Sequence, residues 1–198
     1  MTAELNKLRD AYVNPELPQT CKTFLQEWYA NDKEFAYSKY TEKGNYCELE
    51  NIDLAARVLG YGIADKNELN YSDEFFTGTP DVILHDCVLD VKSSWNKKTL
   101  YEACMNDISP DYAIQLQVYM ELTGKDKAIL FYGLQDTPEE AGGFEVIYSD
   151  IPESERWVAY YIYKDKNLIQ SIRDRVQLCR VYLANYDKQI KSKLGKLL

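Results

Sequence analysis

The sequence predicts an α/β or α+β domain built around a central mixed β-sheet, and three observations favour this class. Two β-rich runs, 80–84 and 87–92, are separated by two residues in the manner of a hairpin. A helical pattern over 110–123 stops at Gly124, a residue type that favours the end of a helix. The apolar run 127–134 has the composition of a buried strand. This alternation of helices and strands is typical of layered α/β architectures.

Glycines and prolines delimit the remaining segments. Neither residue occurs from about 154 to 193, which predicts one or two long helices. We interpret the 198 residues as a single domain with a helical part at 1–40, a core at 41–150 and C-terminal helices at 151–198. The other predicted elements are helices over 3–12, 20–36 and 45–60, a short strand within 66–76, a helical turn at 137–140 and a strand over 144–148.

Composition argues against several classes of protein. A single histidine leaves little room for zinc hydrolases or Ser-His-Asp hydrolases. The five cysteines are scattered and form no CxxC pair, so neither a disulfide framework nor a zinc knuckle is expected. There is no apolar run of membrane-spanning length and no apolar signal segment at the N-terminus. We therefore expect a cytoplasmic protein without a membrane partner.

The net charge of −9 taken alone argues against a nucleic-acid partner, because phosphate contacts need Lys and Arg. This objection is weak for two reasons. An acidic protein can still present a local basic groove, and a metal site adds carboxylates that bound cations neutralise.

Three charged residues of the predicted hairpin form a candidate metal site. Asp90 and Lys92 are two residues apart on one strand and therefore share a face. A tight hairpin can bring Asp81 alongside them. Converging carboxylates suit Mg²⁺ or Mn²⁺, and the lysine can orient a water or offset the charge of a phosphate. The alternative is a structural salt bridge between Lys92 and one aspartate, since acid-x-Lys triplets also occur by chance.

Glu48 is a further candidate acid. Helical spacing within 45–60 places Glu48 near the middle of an apolar face and Glu50 on the opposite, solvated face. An ionised carboxylate on a core-facing stripe is costly unless it is paired or bound to a cation. We expect Glu48 to be a metal ligand; the alternative is that it lies at the helix start and reaches water. The apolar face comprises Ile52, Ala55, Ala56 and Leu59, flanked by Leu49 and Val58.

The same spacing argument applies to the helix predicted over 110–123. It places Gln115 on a face with Tyr119, and Gln117 on the other side beside Glu121. A core-facing Gln one turn before a Tyr can hold a phosphate oxygen, a water or a carboxylate of the site. The alternative is that the tyrosine is an ordinary core residue.

Four motifs occur in the order found in one known superfamily. Together they resemble the PD-(D/E)xK nucleases, in particular the RecB-like and lambda-exonuclease-like branch with its small phage-encoded members. The resemblance covers roughly 40–135, about half of the chain. The motifs are Lys43-Gly44 followed by Glu48, Gly78-Thr79-Pro80-Asp81, Asp90-Val91-Lys92-Ser93-Ser94-Trp95, and Gln115-Leu116-Gln117-Val118-Tyr119.

The resemblance implies a restriction-endonuclease-like core, with 41–150 as its catalytic part and a long helical segment at the C-terminus. It implies a Mg²⁺-dependent deoxyribonuclease in which Mn²⁺ can substitute. No iron–sulfur cluster is expected, because Cys179 alone lies near the C-terminus. The implied roles are metal binding by Glu48, Asp81, Asp90 and the carbonyl of Val91, water positioning by Lys92, and support of the site by Gln115 and Tyr119.

The implied role in the cell is that of a phage-type exonuclease in recombination or DNA processing. DNA is the expected partner, and a single-strand annealing or single-strand-binding protein and a second copy of the chain are further candidates. Three alternatives remain open: an endonuclease or single-strand-specific nuclease on the same fold, a non-catalytic DNA- or protein-binding module, and an unrelated salt-bridged α/β domain.

Two other segments have two interpretations each. Trp95-Asn96-Lys97-Lys98 follows the candidate site and either grips DNA by stacking and phosphate contacts or forms a solvated loop. The C-terminal segment is either a DNA-facing or subunit-contacting helix or a solvated face. Its basic residues are Arg173, Arg175, Arg180, Lys188, Lys191, Lys193 and Lys196.

Overall fold

The computed structural model describes residues 14, 16–30, 39–142 and 144–196, which fall into two compact units. The described part of the first unit is 39–165 and contains all the strands. The second unit combines the described N-terminal residues with 166–196. The helix predicted over 3–12 and the last part of the one predicted over 20–36 lie outside the described residues. The interpretation as a single domain stays a prediction.

The first unit is built on a four-stranded mixed sheet. A separate antiparallel pair, β1 and β2, precedes it in the chain. The strand order of the main sheet is β3-β4-β5-β6, with β4 and β5 parallel and the other neighbours antiparallel. The predicted mixed sheet is therefore confirmed. The strands are β1 (Tyr71–Ser72), β2 (Thr77–Gly78), β3 (Val82–Ile83), β4 (Val88–Ser93), β5 (Lys127–Gly133) and β6 (Trp157–Tyr163).

The helices connect the strands and cover the sheet. The parallel pair β4–β5 requires a crossover connection, and two helices, α3 and α4, supply it. In the described part of the chain, no helix is long and apolar enough to cross a membrane. The helices are α1 (Gln19–Ala30), α2 (Lys39–Val58), α3 (Lys97–Met105), α4 (Pro110–Thr123), α5 (Glu139–Gly142) and α6 (Lys166–Lys193), with a 3₁₀ turn at Glu153–Glu155.

The core forms two layers because side chains of a strand alternate between the faces of the sheet. On one face, Leu89 and Val91 of β4 pack with Ile52 of α2. On the other face, Val88 packs with Leu116 of α4. Asp90 and Lys92 lie two and four residues after Val88 in β4, so their side chains point to the same face of the sheet as Val88. This is the face that carries α4.

Three predictions of secondary structure are wrong in whole or in part. The predicted long C-terminal helix is confirmed as α6, but 154–193 is not all helical and 151–198 is not purely a helical segment, because β6 occupies 157–163 and pairs along its whole length with β5. Residues 144–148 form no strand, and a single bridge joins Thr137 to Val146. The helix α3 begins at Lys97, so the interpretation of 95–98 as a solvated loop is wrong in its second half, while DNA contact by this segment stays a prediction.

Helix α2 is longer than predicted, and its buried face differs in detail. Ile52, Ala55 and Ala56 are buried as expected. Leu49 is 60% exposed, whereas Leu54 is 2% exposed. The predicted flank of the apolar face is therefore displaced from Leu49 toward Leu54.

Gly133, the last residue of β5, leaves room for a side chain that supports β4. Asn51 of α2 is fully buried and donates from Nδ2 to Ser93 Oγ at 2.7 Å. A Cβ at position 133 would clash with Asn51 Oδ1 and lie 3.2 Å from the Phe131 ring. The end of β4 is therefore fixed by an amide that only a glycine at this position admits.

We expect Gly133→Ala to lower the free energy of unfolding by about 1–3 kcal/mol, because both clashing groups are held in a packed core. Urea denaturation of the wild type and the variant measures the change. Gly44→Ala is the control, since a Cβ there meets nothing within 4 Å; within a helix it should stabilise by about 0.5–1 kcal/mol. Equal effects of the two substitutions would contradict the packing argument.

Candidate metal centre

Asp90 is a fully buried charged residue in the middle of the sheet. Its Oδ2 lies 2.7 Å from Lys92 Nζ. Although this distance makes an ion pair, neither carboxylate oxygen of Asp90 accepts a hydrogen bond of regular geometry from the described residues. Burial raises the pKa of Asp90, and the charge of Lys92 opposes that shift. A buried carboxylate with unfilled lone pairs is a suitable ligand for a further cation.

Lys92 is the positive partner of this pair, and its side chain is 22% exposed. Its Nζ lies 4.9 Å from the centre of the Tyr112 ring, a cation–π distance. Burial alone lowers the pKa of Lys92, but the charges of Asp90 and Asp81 raise it, and the net result is above the ordinary value. The ammonium group therefore stays protonated at neutral pH.

Asp81 lies immediately before β3 and is tied to β4. Its Oδ2 accepts a hydrogen bond from the Val91 N–H at 2.8 Å. Burial raises the pKa of Asp81 to about 7, the charge of Asp90 adds to the shift, and the Val91 N–H opposes it. Two neighbouring carboxylates of this kind ionise together only when a cation compensates them.

Asn67, which the sequence analysis did not select, holds the segment that carries Asp81. Its backbone N–H donates to the Asp81 carbonyl at 2.7 Å. Its side-chain Nδ2 donates to the Pro80 carbonyl at 2.8 Å. The Pro80-Asp81 backbone is thus fixed from a loop that no periodic pattern singled out.

Glu48 pairs with a lysine that the sequence analysis also missed. Lys66 Nζ lies 2.6 Å from Glu48 Oε2, with the two side chains 38% and 22% exposed. The hydrogen bond with Glu48 raises the pKa of Lys66, and the charge of Asp81 contributes to the same shift. Glu48 therefore neither lies unpaired in the core nor simply reaches water. No pattern indicated Lys66, because the pair joins a helix to a loop.

One cavity of about 470 Å³ brings most of the predicted residues together. Asp90 is fully buried and does not line this cavity, whereas its ion-pair partner Lys92 does. Gly44 and Ser93 contribute to its wall as well. The predicted site residues that line it are Glu48, Asp81, Val91 and Lys92.

The donor set was tested for its fit to Mg²⁺. Among the described residues, no three Asp, Glu, His or Cys side chains are grouped so that they could hold an ion. This agrees with the pairing of Glu48 with Lys66 and of Asp90 with Lys92. Mg²⁺ needs only one or two carboxylates because it keeps several waters. Asp81 and Asp90 supply this number of carboxylates, and Glu48 would add a third if it were released from Lys66.

Gln115 and Tyr119 form a pair on α4. Gln115 Nε2 donates to the Tyr119 hydroxyl at 2.9 Å. Burial raises the pKa of Tyr119, and the charges of Asp90 and Asp81 add to the shift. A Cβ at Gly78 would lie 2.6 Å from the Tyr119 ring, so the glycine of the GTPD motif makes room for this tyrosine.

Gln117, on the other side of α4 from the Gln115–Tyr119 pair, is fully buried although it is polar. Its Nε2 donates to the Tyr163 carbonyl at 2.9 Å, and its Oε1 accepts from the Asp165 N–H at 2.7 Å. The end of β6 satisfies both polar groups of this amide, which is why a polar side chain is stable there.

The segment 95–98 and the basic C-terminal segment, the two for which the sequence left two interpretations, differ in structure. Asn96 caps α3, since its side chain accepts from the Thr99 N–H at 3.0 Å. In the C-terminal segment, Arg175 is 8% exposed and donates to the Glu16 carbonyl, and Lys191 pairs with Asp187. At least these two basic residues therefore have structural partners.

We expect Asp81→Asn to stabilise the metal-free protein more at high pH than at low pH. The pKa of Asp81 is about 7 in the folded state against an ordinary value of 3.8. Between these values the folded state holds a proton that the unfolded state has released, so stability falls as pH rises through this window. In EDTA, Tm should rise by several degrees near pH 8 and by less near pH 5, since about 1 kcal/mol shifts Tm by about 2–4 °C.

Mn²⁺ provides the control for this measurement. It should raise the Tm of the wild type near pH 8, because it binds the folded state alone, and should raise that of Asp81→Asn much less. A lower Tm of the variant in EDTA near pH 8 would contradict the assigned charge state.

We expect Lys66→Met to tighten Mn²⁺ binding about fivefold, because a partly exposed ion pair is worth up to about 1 kcal/mol and the variant frees Glu48 from its lysine. Titration of free Mn²⁺ by electron paramagnetic resonance, without DNA, measures the affinity. Lys98→Met is the matched control, since Lys98 also pairs with a glutamate, Glu102, at 3.2 Å. Weaker binding in Lys66→Met would show that Lys66 does not compete with the cation.

Comparisons with known proteins concern the fold that carries this site. No family model matches the chain, and no curated protein matches its sequence. A solved structure of a phage-related exonuclease from Haemophilus somnus 129PT matches with a TM-score of 0.76 and 27% identity, over 89% of this chain and 86% of that chain. An alkaline exonuclease from Laribacter hongkongensis matches with a TM-score of 0.67 and 14% identity, over 96% and 93% of the two chains.

The structure of the Laribacter exonuclease in complex with dAMP gives the same TM-score, 0.67, at 16% identity. These likenesses extend over most of each chain, so they concern the whole fold and not one motif. The resemblance inferred from the four motifs is confirmed by structures that are similar well beyond residues 40–135. The chain has the fold of the lambda-exonuclease-like branch of the PD-(D/E)xK nucleases.

Proposed function

We propose that this chain is a Mg²⁺-dependent deoxyribonuclease of the phage exonuclease type, in which Mn²⁺ can replace Mg²⁺. The observation that carries the proposal is the convergence of Glu48, Asp81 and Lys92 on one cavity, next to the buried carboxylate of Asp90. The shared fold with exonucleases supports it. A purely structural salt bridge does not require the additional acids Asp81 and Glu48 at the same cavity.

Asp81, Asp90 and the Val91 carbonyl would hold the cation, joined by Glu48 when Lys66 leaves it. When bound, the cation activates water and neutralises charge on the phosphate. The carboxylates must be ionised for this, so the proton held by Asp81 at low pH competes with the cation. Both the affinity for the cation and the rate of cleavage should therefore rise with pH up to and through about 7.

Lys92 acts by position and charge. Because its pKa is raised, its ammonium group cannot take a proton from water at neutral pH. It can donate a hydrogen bond that orients the attacking water, and it can offset negative charge on the phosphate. The Tyr112 ring and Asp90 hold the ammonium group in place from two sides.

Gln115 and Tyr119 position the acids. The Tyr119 oxygen accepts from Gln115, so the hydroxyl proton remains to be donated to a carboxylate or phosphate oxygen. Burial and the charges of Asp90 and Asp81 raise the pKa of Tyr119, so its hydroxyl keeps this proton at neutral pH. This is the supporting role that the resemblance implies.

The proposal extends to the role of the protein in the cell. We propose that it acts on DNA in recombination or processing in the cytoplasm, and the similarity to a phage-related exonuclease supports this role. A single-strand annealing or single-strand-binding protein and a second copy of the chain are the further partners in this proposal.

The experiment is digestion of end-labelled linear, nicked and circular duplex DNA in Mg²⁺. We expect linear DNA alone to be degraded, and EDTA to abolish the reaction. Asp90→Asn and Lys92→Met should each lower the rate by about a thousandfold, which corresponds to about 4 kcal/mol of lost transition-state stabilisation. Cutting of the closed circle would instead identify an endonuclease.

Glu48 and Glu50 supply a matched pair of variants on one helix. Glu48 lines the cavity, whereas Glu50 lines a different one with Arg57 and Arg156. Glu48→Gln should lower the rate at least about tenfold, and Glu50→Gln should leave it within about twofold, since a single metal ligand is worth several kcal/mol. A folded Asp90→Asn protein with full activity would overturn the proposed function.

A further inference from the structure

A second cavity of the sheet-containing unit is not used by the proposed chemistry. Its volume is about 130 Å³, and none of the described residues that line it is charged. Its walls come from the segment after β4 and from the loop that follows β5. The lining residues are Trp95, Asn96, Thr137, Phe144, Val146 and Tyr148.

Three aromatic rings meet at this cavity. Phe144 is 66% exposed, Trp95 is partly exposed and Tyr148 is almost buried. Large aromatic side chains that remain exposed beside a cavity are typical of a binding surface rather than of a core. Flat rings in a cavity that is not lined by a charged side chain of the described residues favour a flat, neutral, aromatic ligand.

The buried Lys43 side chain contacts two of these rings, those of Trp95 and Tyr148. It is 1% exposed and donates from Nζ to the Trp95 carbonyl at 3.0 Å. The same ammonium group lies 5.8 Å from the Trp95 ring centre and 5.2 Å from that of Tyr148. No described carboxylate lies within ion-pair distance of it. Lys43 therefore serves to pre-organise the two rings, which lowers the entropic cost of binding a ligand between them.

Thr137 supplies a polar group without a protein partner. Its backbone is fully used, since its N–H and C=O pair with Val146 at 2.9 and 2.8 Å. Its side chain is buried, and its hydroxyl makes no hydrogen bond with the described residues. A buried hydroxyl left unpaired is costly, which points to a ligand with a polar edge.

Residues that line or contact this cavity are close in sequence to residues that line the cavity of the candidate metal centre. Trp95 follows Lys92 by three residues, a distance of at most about 10 Å in extended chain. On α2, Lys43 contacts the rings while its neighbour Gly44 lines the metal cavity. A stacked DNA strand advances about 3.4 Å per nucleotide, so the two cavities are within about three nucleotides of each other.

We propose that this second cavity binds one nucleobase of the DNA, within about three nucleotides of the bond that is cut, by stacking on Trp95 and Phe144. The Thr137 hydroxyl bonds the polar edge of the base. The proposal rests on the proposed nuclease function and names the part of the substrate that the aromatic rings recognise. Stacking is independent of charge, which suits a protein whose net charge of −9 disfavours extensive phosphate contacts.

The test uses the full chain with Asp90→Asn to prevent cleavage, and DNA that carries 2-aminopurine, a fluorescent base quenched by stacking. Two duplexes are compared, with the label near the 5′ or the 3′ end of one strand. We expect one of them to be quenched on binding. Trp95→Ala and Phe144→Ala should each abolish this quenching and weaken binding about five- to a hundredfold, the range for loss of one stacked base.

Control variants separate stacking from general damage. Tyr101→Ala removes a 56% exposed ring of α3 that does not line the cavity, and it should leave quenching unchanged. Thr137→Val keeps the side-chain shape and should weaken binding of the labelled duplex but not of one with an abasic site at that position. The dependence of affinity on salt should keep its slope in Trp95→Ala, because no phosphate contact is lost.

The outcomes distinguish this proposal from the proposed function. Loss of quenching in Trp95→Ala and Phe144→Ala, both folded by their Tm, supports the base pocket. Quenching that survives both substitutions, or that neither labelled duplex shows, overturns the pocket even if the wild type degrades DNA. A wild type that binds and quenches the label but never cuts DNA with Mg²⁺ or Mn²⁺ overturns the nuclease function and leaves the pocket standing.

Discussion

The ion pair between Asp90 and Lys92 inside the sheet is the constraint on which the site depends. Removing either partner from a buried pair leaves an uncompensated charge, whereas replacing both by apolar residues is often neutral for stability. Stability of the fold alone therefore does not account for a charged pair at this place. β4 pairs with β5 along its whole length, with Asp90 opposite Leu130, and with β3 at the two residues before Asp90, so the sheet fixes where Asp90 emerges. Burial of the pair carries a desolvation cost, and it holds a carboxylate at a fixed position. A fixed carboxylate is what binding of a cation requires.

The residues around the pair act as its support. The Val91 N–H donates to the carboxylate of Asp81. Because Val91 follows Asp90 in β4, this strand positions both acids. The crossover between β4 and β5 brings α4 over the same face, and Gly78 leaves room for the Tyr119 ring. Elements far apart in sequence therefore meet at one place through backbone geometry.

The sequence predicted those parts of the site that follow from local periodicity. Alternation along a strand placed Asp90 and Lys92 on one face, and both charges are found together. Patterns did not indicate partners that lie outside any repeat: Lys66 pairs with Glu48 from a loop, and backbone groups at the end of β6 bond the side chain of Gln117. β6 was taken for helix because no Gly or Pro marks its ends, although its Trp, Val and Tyr content is typical of a strand.

The charge of the site explains how an acidic chain can face DNA. In the metal-free protein, Lys66 and Lys92 compensate the carboxylates of Glu48 and Asp90. In the proposed nuclease, a bound divalent cation would make the Lys66 contact redundant, and the released ammonium group would become available to a phosphate. Lys66, which stabilises the metal-free centre, would then add positive charge to the metal-bound one. The electrostatic field at the cavity would be set by the cation and by Lys66, and the overall charge of −9 would have little influence there because solvent ions screen distant charges.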